Sequence, residues 1–394
     1  DNIILTNDNP RFENPDKIRR DIKKGIKKKK IIEISNRAIA ISEAIKNLNT
    51  GNILLVAGKG HEKTQDIKNK KIYFSDRKII LNSIKVKNKN LSNNLKINVI
   101  KEVAQISKLP SSISIKNVKI NSREVCKNDI FFAIKGKKND GNKFVAQSFQ
   151  RKASLAIVNK IQNKLNNNRQ IKVKNTLKFL TEFSKIYRKN IDTKIIAITG
   201  SCGKTTLKEL LGNTLSKISK VSISPKSYNN KFGVPLSLSN IKQNDEYGIL
   251  EVGMDKKGEI DYLSKIIEPD VGVITNINYA HAKNFKSIKQ IALAKSEIIK
   301  NIRPNGFVVL NTDDNFFELH KKIAYKKNLK VISFGIKSNK ANIKLSSIKP
   351  LGKQFKININ FNNENKYFLL SNNFQNNIYN VLSSLAVLNE LGLS

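Results

Sequence analysis

The sequence predicts an α/β protein of several domains, and two observations support this. From Lys194 onward, short apolar strands alternate with helical stretches, which is typical of a parallel sheet with crossover helices. The length of 394 residues exceeds that of one compact domain and suggests about two to four domains. We expect one domain at 1–85, a polar linker at 86–94, and two further domains at 95–190 and 191–394.

The first two domains are predicted from short apolar runs. Residues 3–5 are a predicted strand, and Asn14–Lys24 a predicted helix that is entered through Pro15. The run Ile-Leu-Leu-Val-Ala at 53–57 is predicted to form a buried strand before a glycine turn. The second domain has predicted strands at 130–134 and 156–158.

The third domain contains the alternating pattern. Its predicted strands are short apolar runs at 195–199, 249–252, 271–275, 307–310 and 331–334. Residues 341–370 are more polar and strand-like, and the last helix, 377–391, stops at Gly392, as helices commonly do. The pattern predicts a parallel sheet with an extended region after it.

The composition restricts the setting in which the protein works. No run of about 18 apolar residues is present, so no membrane span is expected. Cys126 and Cys202 lie far apart without the spacing of a metal site, which favours a reduced, cytoplasmic setting. The start at Asp1 lacks Met and a signal pattern, so we expect an internal cut of a longer chain.

The net charge of +42 has two interpretations. A strongly basic chain often binds nucleic acid. Only ten of the 73 basic residues are arginine, however, and arginine is the preferred partner of phosphates and base edges. The lysines are spread along the whole chain, and Asn and Ile are also abundant. This favours a drift of the amino-acid composition toward Lys, Asn and Ile in an AT-rich genome. A basic nucleic-acid-binding protein with a phosphate loop remains the alternative.

The strongest local signal is a phosphate loop at residues 199–206. An apolar strand runs into Thr-Gly-Ser-Cys-Gly-Lys-Thr-Thr, and a helix with apolar periodicity follows. Glycines let backbone N–H groups approach phosphate oxygens, and the helix N-terminus adds positive partial charge. The general pattern has Gly where this chain has Ile198, so the match is to a shorter variant. The predicted nucleotide-binding residues are Thr199, Gly200, Ser201, Cys202, Gly203, Lys204, Thr205 and Thr206.

Two further residues follow predicted strands of the same sheet. Glu251 and His281 lie near carboxyl ends of strands, where a parallel sheet faces its ligands. Lys204 is expected to reach the β- and γ-phosphates, while Thr205 and Glu251 are suited to Mg²⁺. Lys295, on the next helix, would by itself be an exposed residue.

Taken together, these motifs resemble the Mur ligases, ATP-dependent amide ligases of peptidoglycan precursor synthesis. The resemblance covers about residues 95–394 and rests on the segments 199–206, 229–235, 251–253, 258–260, 280–281 and 294–297. It implies a multidomain α/β fold with a central parallel-sheet ATPase domain, a small mixed α/β domain for the UDP-precursor and a Rossmann-like ligase-domain fragment at the N-terminus. It also implies a specific activity, in which D-alanyl-D-alanine is added to UDP-MurNAc-tripeptide through an acyl phosphate.

The resemblance also implies roles for individual residues. ATP and Mg²⁺ would be the cofactors, with Thr205, Glu251 and His281 as metal ligands and Lys204, His281 and Lys295 as catalytic residues. Lys295 matches a lysine that is carbamylated in several Mur ligases. The adenine would lie near Asn377 and Asn380, although Asn376 stands where the family usually has His. The predicted substrate-binding residues are Ser122, Arg123, Asp140, Gly141, Asn229 and Asn230.

The small domain departs from the family pattern at two positions. Asn121 stands where the family has Asp, and Asn142 where His is usual. We therefore expect a weakened uridine site, in which Ser122 and Arg123 still contact the nucleotide-sugar.

The first domain resembles the C-terminal domain of the Mur ligase type that adds 2,6-diaminopimelate. The amino acid would be surrounded by Asp8, Asn9, Arg11, Gly58 and Glu62. The chain thus looks like the tail of one ligase joined to the head of the next, with weak or no turnover expected of this fragment alone. We expect a monomer without a specific nucleic-acid partner. Another Mur-type ligase, such as folylpolyglutamate synthase, is the alternative within the same reaction class.

Overall fold

The computed structural model of the chain divides into two compact units, residues 1–92 and 93–394. The structure describes residues 2–26, 31–48, 52–60, 62, 64–67, 70–110, 113–136, 139–226, 228–279, 284–361, 364–371 and 377–393.

The described part of the first unit contains a β-α-β element. Strands β1 and β2 are parallel, and α1 connects them, which fits the Rossmann-like prediction. Helix α1 begins at Pro15, as predicted, and Asn14 caps it by accepting a hydrogen bond from the Asp16 N–H. The elements are β1 (Ile3–Leu5), α1 (Pro15–Gly25), β2 (Ile31–Glu33), α2 (Arg37–Asn47), β3 (Thr64–Ile67), β4 (Lys70–Tyr73) and α3 (Asp76–Ala104). Residues 86–94, where the sequence predicts a linker, are part of α3, and the boundary between the units falls there.

The buried strand predicted at 53–57 is wrong. These residues form no strand, and Ile53 and Leu55 are 94% and 86% exposed. An apolar run becomes a buried strand only when a neighbouring strand supplies hydrogen bonds and a second layer covers its side chains. Among the described residues of this unit, β1 and β2 pair only with each other, and no strand pairs with residues 53–57.

The second unit begins with a small parallel sheet in the order β5-β6-β7-β8. Both strands predicted there, at 130–134 and 156–158, are confirmed. The elements are β5 (Val118–Lys119), β6 (Ile130–Phe132), α4 (Val145–Gln150), β7 (Leu155–Val158), β8 (Gln170–Lys172) and α5 (Thr176–Lys189). Short 3-10 turns lie at Ser122–Glu124, Gly141–Phe144 and Asn167–Arg169.

A nine-stranded sheet follows, in the order β10-β11-β9-β12-β13-β14-β15-β16-β17. Its first six pairings, β10–β11 through β14–β15, are parallel, and β15 to β17 continue the sheet as antiparallel hairpins. The strands are β9 (Lys194–Thr199), β10 (Val221–Ile223), β11 (Tyr247–Glu251), β12 (Val271–Ile274), β13 (Phe307–Asn311), β14 (Lys330–Gly335), β15 (Ile343–Leu351), β16 (Gln354–Phe361) and β17 (Glu364–Ser371). The predicted parallel sheet is therefore confirmed, as is the extended region after it.

Helices cover both faces of this sheet. Along β9, Ile195 and Ala197 belong to one apolar core, while Ile196 and Ile198 belong to the other. Burial on both faces explains why the strand is apolar without alternation. The helices are α6 (Lys204–Leu215), α7 (Gly233–Ser239), α8 (Glu259–Ile267), α9 (Ile288–Lys295), α10 (Phe317–Tyr325) and α11 (Ile378–Glu390), and a 3-10 turn at Ser296–Asn301 follows α9.

Two residues join the small sheet to the large one. The amide of Asn240, after α7, donates to the Val118 carbonyl at 2.9 Å and accepts from the Val118 N–H at 2.8 Å. Arg188, at the end of α5, is fully buried and donates to backbone carbonyls of Ile267 and Glu268. These paired groups hold β5 and α5 against the large sheet. Among the described residues, no helix is long and apolar enough to cross a membrane.

Candidate active site

The phosphate loop connects β9 to α6 through two glycines with positive φ. Gly200 has a φ of 149° and Gly203 a φ of 81°, so the loop needs residues without a side chain at these points. A Cβ atom on Gly200 would overlap the Thr275 side chain. Helix α6 begins at Lys204 without a side-chain cap. Its first N–H groups therefore remain available to an anion.

The segment after β12 holds the loop in shape. The Ser201 N–H donates to the Asn276 carbonyl at 2.9 Å, and the Cys202 N–H donates to Asn276 Oδ1 at 2.9 Å. Ser201 Oγ accepts from the Asn278 N–H at 2.9 Å. In the register of the sheet, Thr199 lies beside Ile274, which brings the two strand ends together. These hydrogen bonds to the segment after β12 therefore fix the shape of the loop.

Thr205 and Glu251 meet at the start of α6, as predicted. Glu251, 2% exposed at the end of β11, accepts from Thr205 Oγ1 at 2.8 Å with one carboxylate oxygen. Its other oxygen accepts from Asn229 Nδ2 at 2.8 Å. Because the Thr205 hydroxyl donates to the carboxylate, its lone pairs stay free for a cation. A hydroxyl oxygen beside a carboxylate is a donor set that suits Mg²⁺.

Two lysines converge on the glycine turn. Lys204 Nζ donates to the carbonyls of Gly200 at 2.9 Å and Ser201 at 3.3 Å. Lys295 Nζ donates to the Gly200 carbonyl at 2.8 Å. Lys295 is 1% exposed, so the exposed position expected for it in isolation is not observed. Burial, and next the charge of Lys204, lower the pKa of Lys295 to about 7.

Asn380 lies against the same loop. A Cβ atom on Gly203 would come within 2.9 Å of Asn380 Oδ1, so the glycine provides the space for this side chain. Asn377 immediately precedes α11. The Asp313 carboxylate accepts the Tyr379 hydroxyl at 3.1 Å and the Ile336 N–H at 2.6 Å, which fixes the first turn of α11. Both asparagines predicted to contact adenine thus lie on an anchored turn.

Three more residues of this domain were predicted to belong to the site, namely Asn230, Thr206 and His281. Asn230 Oδ1 accepts from the N–H groups of Phe232 and Gly233 and so organises the start of α7. Thr206 is exposed on α6. His281, predicted as a catalytic residue and metal ligand, lies outside the described residues.

In the small sheet, the predicted precursor-binding residues lie in two turns. Ser122 Oγ donates to Gln147 Oε1 at 2.6 Å, whereas Arg123 is exposed. Asp140 accepts from the Asn142 side chain at 2.7 Å and from its N–H at 2.9 Å, and these bonds lower the pKa of Asp140. A Cβ atom on Gly141 would lie 2.6 Å from the Ile134 N atom, so the turn requires glycine.

In the first unit, four of the five predicted residues converge on a lysine that the sequence analysis did not single out. Lys59 is 2% exposed, and its Nζ lies 2.8 Å from Asn9 Oδ1, 3.3 Å from Glu62 Oε2 and 3.5 Å from Asp8 Oδ1. Gly58, the fourth, leaves room for the Asp8 carboxylate, since a Cβ atom there would lie 2.8 Å from Asp8 Oδ2.

The fifth predicted residue, Arg11, is exposed and has a φ of 50°. The only sequence signal for Lys59 was its place between two glycines.

Glu297 is a second residue whose role the sequence did not indicate. It is 5% exposed and accepts from the Gly258 N–H at 2.9 Å and the Asp261 N–H at 3.0 Å, so it caps α8 from another element. A carboxylate at a helix N-terminus satisfies free N–H groups and interacts with the helix dipole. This contact explains why Gly258 and Glu297 occur together among the motifs.

We expect Glu297→Gln to lower the free energy of unfolding by about 1–2 kcal/mol, because the amide loses the charge and one acceptor. Urea denaturation followed by circular dichroism measures this. Glu182→Gln is the matched control, because its side chain is 43% exposed and pairs with the surface residue Lys185. Equal effects of both substitutions would contradict the capping role.

Three sequence families match the chain. They are the Mur ligase middle domain at residues 198–388, the Mur ligase family catalytic domain at 114–188, and the Mur ligase glutamate ligase domain at 1–60. The chain belongs to the Mur ligase family. The match at 1–60 places the first unit in the family as well, and its assignment to the diaminopimelate-adding type stays a prediction.

Curated Mur ligases are similar over much of the chain. UDP-N-acetylmuramoyl-tripeptide--D-alanyl-D-alanine ligase of Buchnera aphidicola subsp. Acyrthosiphon pisum is 35% identical over 240 residues, 61% of this chain and 52% of the relative. The same enzyme of Rickettsia prowazekii is 35% identical over 259 residues, 65% of this chain and 57% of the relative. The chain therefore spans about half the length of these relatives.

Solved structures of Mur ligases share the fold. MurF from Acinetobacter baumannii has a TM-score of 0.66 and 29% identity, over 75% of this chain and 65% of that one. MurF from Thermotoga maritima, in complex with ADP, has a TM-score of 0.62 and 28% identity, over 71% of this chain and 64% of that one. The predicted multidomain Mur ligase fold with a central parallel sheet is confirmed.

Proposed function

We propose that this chain carries the ATP-binding part of a Mur ligase that adds D-alanyl-D-alanine to UDP-MurNAc-tripeptide. The contact between Thr205, at the start of α6, and Glu251, at the end of β11, carries the proposal. It places a hydroxyl and a carboxylate beside the uncapped start of α6, whose first N–H groups can receive phosphates. The similarity to D-alanyl-D-alanine ligases favours this substrate over that of folylpolyglutamate synthase and over nucleic acid.

In the proposed reaction, the γ-phosphoryl group of ATP is transferred to the carboxylate of the tripeptide, and ADP leaves. The amine of the dipeptide then attacks the acyl phosphate, the amide bond forms and phosphate is released. Lys204 stabilises the charge of the transferring group. Thr205 and Glu251 would hold Mg²⁺, which neutralises phosphate charge when bound. Since the reaction consumes ATP, we place it in the cytoplasm.

We also propose that Lys295 is carbamylated. Its depressed pKa leaves a large fraction of the amine neutral near pH 8, and a neutral amine is the form that adds CO₂. A carbamate would turn this buried cation into an anionic oxygen ligand beside the phosphate loop. Mass spectrometry under native conditions in bicarbonate would detect an added 44 mass units, the mass of CO₂, that are absent from Lys295→Met.

The order of family matches along the chain supports the proposed fusion. A match to the glutamate ligase domain at 1–60 precedes the matches to the catalytic and middle domains. This is the order expected where one ligase ends and another begins. Reading the DNA on both sides of the segment that encodes residues 1–394 would test it. An open reading frame that continues upstream into the middle domain of another Mur ligase would support the fusion, and an upstream frame that encodes no Mur ligase domain would exclude it.

Calorimetric titration with a non-hydrolysable ATP analogue and Mg²⁺ tests the nucleotide site in the chain as it stands. We expect saturable binding of one analogue per chain. Random-sequence DNA at about 0.15 M salt, where phosphate contacts are weakened but still measurable, is the comparison ligand. Tighter binding of DNA than of the analogue, or no binding of the analogue, would refute the proposal.

A further inference from the structure

Lys208 is a buried cation that the proposed reaction does not use. It lies on α6, one turn after Lys204, and is fully buried. Its Nζ donates to the Ser224 carbonyl at 2.8 Å and to the Lys226 carbonyl, and lies 3.3 Å from Glu209 Oε1. A buried ammonium group is costly unless its donors are paired, and here these three oxygens pair them.

The segment that Lys208 holds leads directly to the proposed metal ligand. Ser224 Oγ accepts from the Glu251 N–H at 3.3 Å, and the Ser224 N–H donates to the Ile249 carbonyl at 2.9 Å. Lys226 turns the chain with a φ of 41°, in the left-handed region that an L-residue seldom adopts. The bond from Lys208 to the Lys226 carbonyl holds this turn.

After the turn, Asn229 completes a ring that consists of hydrogen bonds and of the chain from 226 to 229. Its side chain donates to Glu251, and its carbonyl accepts from the Gly253 N–H at 2.8 Å. Glu251 in turn accepts from Thr205, which lies on the same helix as Lys208. The ring therefore runs from α6 through Glu251, Asn229 and the turn at 224–226 back to α6.

We propose that Lys208 is a positioning residue that sets the orientation of the Glu251 carboxylate for the catalytic cation. The inference rests on the proposed function, because it needs a cation at Thr205 and Glu251. Without the ammonium group, the carbonyls of Ser224 and Lys226 lose their donor and the turn is released. Asn229 and Glu251 then lose their fixed orientation, while the glycines and N–H groups of the phosphate loop keep theirs.

The test compares the parent chain with Lys208→Met in binding a non-hydrolysable ATP analogue, with Mg²⁺ titrated from zero. We expect the Mg²⁺ concentration needed for half-maximal binding to rise about 10- to 100-fold, the usual effect of losing a group that orients a metal ligand. Binding of the analogue in EDTA should change less than about twofold, because the loop N–H groups remain. Lys217→Met, at an exposed position on the same unit, controls for lost charge.

Several outcomes separate this inference from the proposed function. An unchanged Mg²⁺ requirement in folded Lys208→Met overturns the inference. An equal loss of affinity for the analogue with and without Mg²⁺ also overturns it, because that result indicates a structural role only. If Lys208→Met does not fold, Ser224→Ala cuts the same ring at Glu251 and should raise the Mg²⁺ requirement by a few fold. An unchanged Mg²⁺ requirement in folded Ser224→Ala then overturns the inference. A parent chain that fails to bind the analogue refutes the proposed function itself, and this inference falls with it.

Discussion

Lys204→Ala is expected to weaken binding of a non-hydrolysable Mg-ATP analogue by about 10- to 100-fold, the effect of losing a charged hydrogen bond. Lys204 Nζ lies on the loop between the Gly200 and Ser201 carbonyls, at the start of α6. In the parent chain at pH 8 most of the neighbouring Lys295 amine is neutral, because its pKa is about 7. Lys204 thus supplies the ammonium charge of the glycine turn.

The experiment is calorimetry at pH 8 with the parent chain, Lys204→Ala and Lys217→Ala. Lys217→Ala removes the same charge from an exposed position in the turn after α6 and should bind as the parent does. The charge of Lys204 also lowers the pKa of Lys295, so its removal should let Lys295 gain a proton more easily. We therefore expect part of the lost affinity to return at pH 6.5. Parent-like binding by Lys204→Ala at pH 8 would refute the role of Lys204.

Lys295→Met is expected to change how stability depends on pH. In the unfolded chain the amine has its ordinary pKa of 10.5, whereas in the folded protein burial lowers this pKa to about 7. Between these two values the unfolded chain binds the proton and the folded protein does not. The free energy of unfolding should therefore rise with pH across this window, by up to about 1.4 kcal/mol per pH unit from this group.

The measurement is urea denaturation of the parent chain and Lys295→Met at pH 7.5, 8.5 and 9.5, without nucleotide. The difference in stability, parent minus variant, should increase with pH, because methionine has no proton to release. Lys217→Met should follow the parent at each pH, since that position is exposed. Parallel pH profiles for the parent and Lys295→Met would contradict the depressed pKa.

Much of the site follows from local sequence because its signals are local. A strand, two glycines and a lysine at the start of a helix occupy about eight consecutive residues, and backbone geometry alone gives them the shape of a phosphate loop. The approach of Glu251 to Thr205 was also predictable, because parallel strands bring their carboxyl ends to one edge of the sheet. The parallel sheet itself follows from apolar runs that alternate with helices.

The contacts that bury charged side chains within each unit were not predictable, because most of them join residues that are distant in sequence. Lys208, Glu297 and Lys59 look like ordinary surface charges in a lysine-rich chain, and only packing shows that each is buried and paired. The run at 53–57 shows the opposite error, since an apolar strand needs neighbours that its own sequence does not supply.

The sequence by itself thus determined the family, the parallel sheet and the phosphate loop, since periodicity and short motifs encode them. Only the tertiary structure decided which charged side chains are buried and which groups orient Glu251. It also decided that Lys295 is a buried amine with a lowered pKa and not a surface cation. The physical reason is that burial and pKa depend on every element that surrounds a side chain, whereas a loop at the start of a helix depends mainly on its own residues.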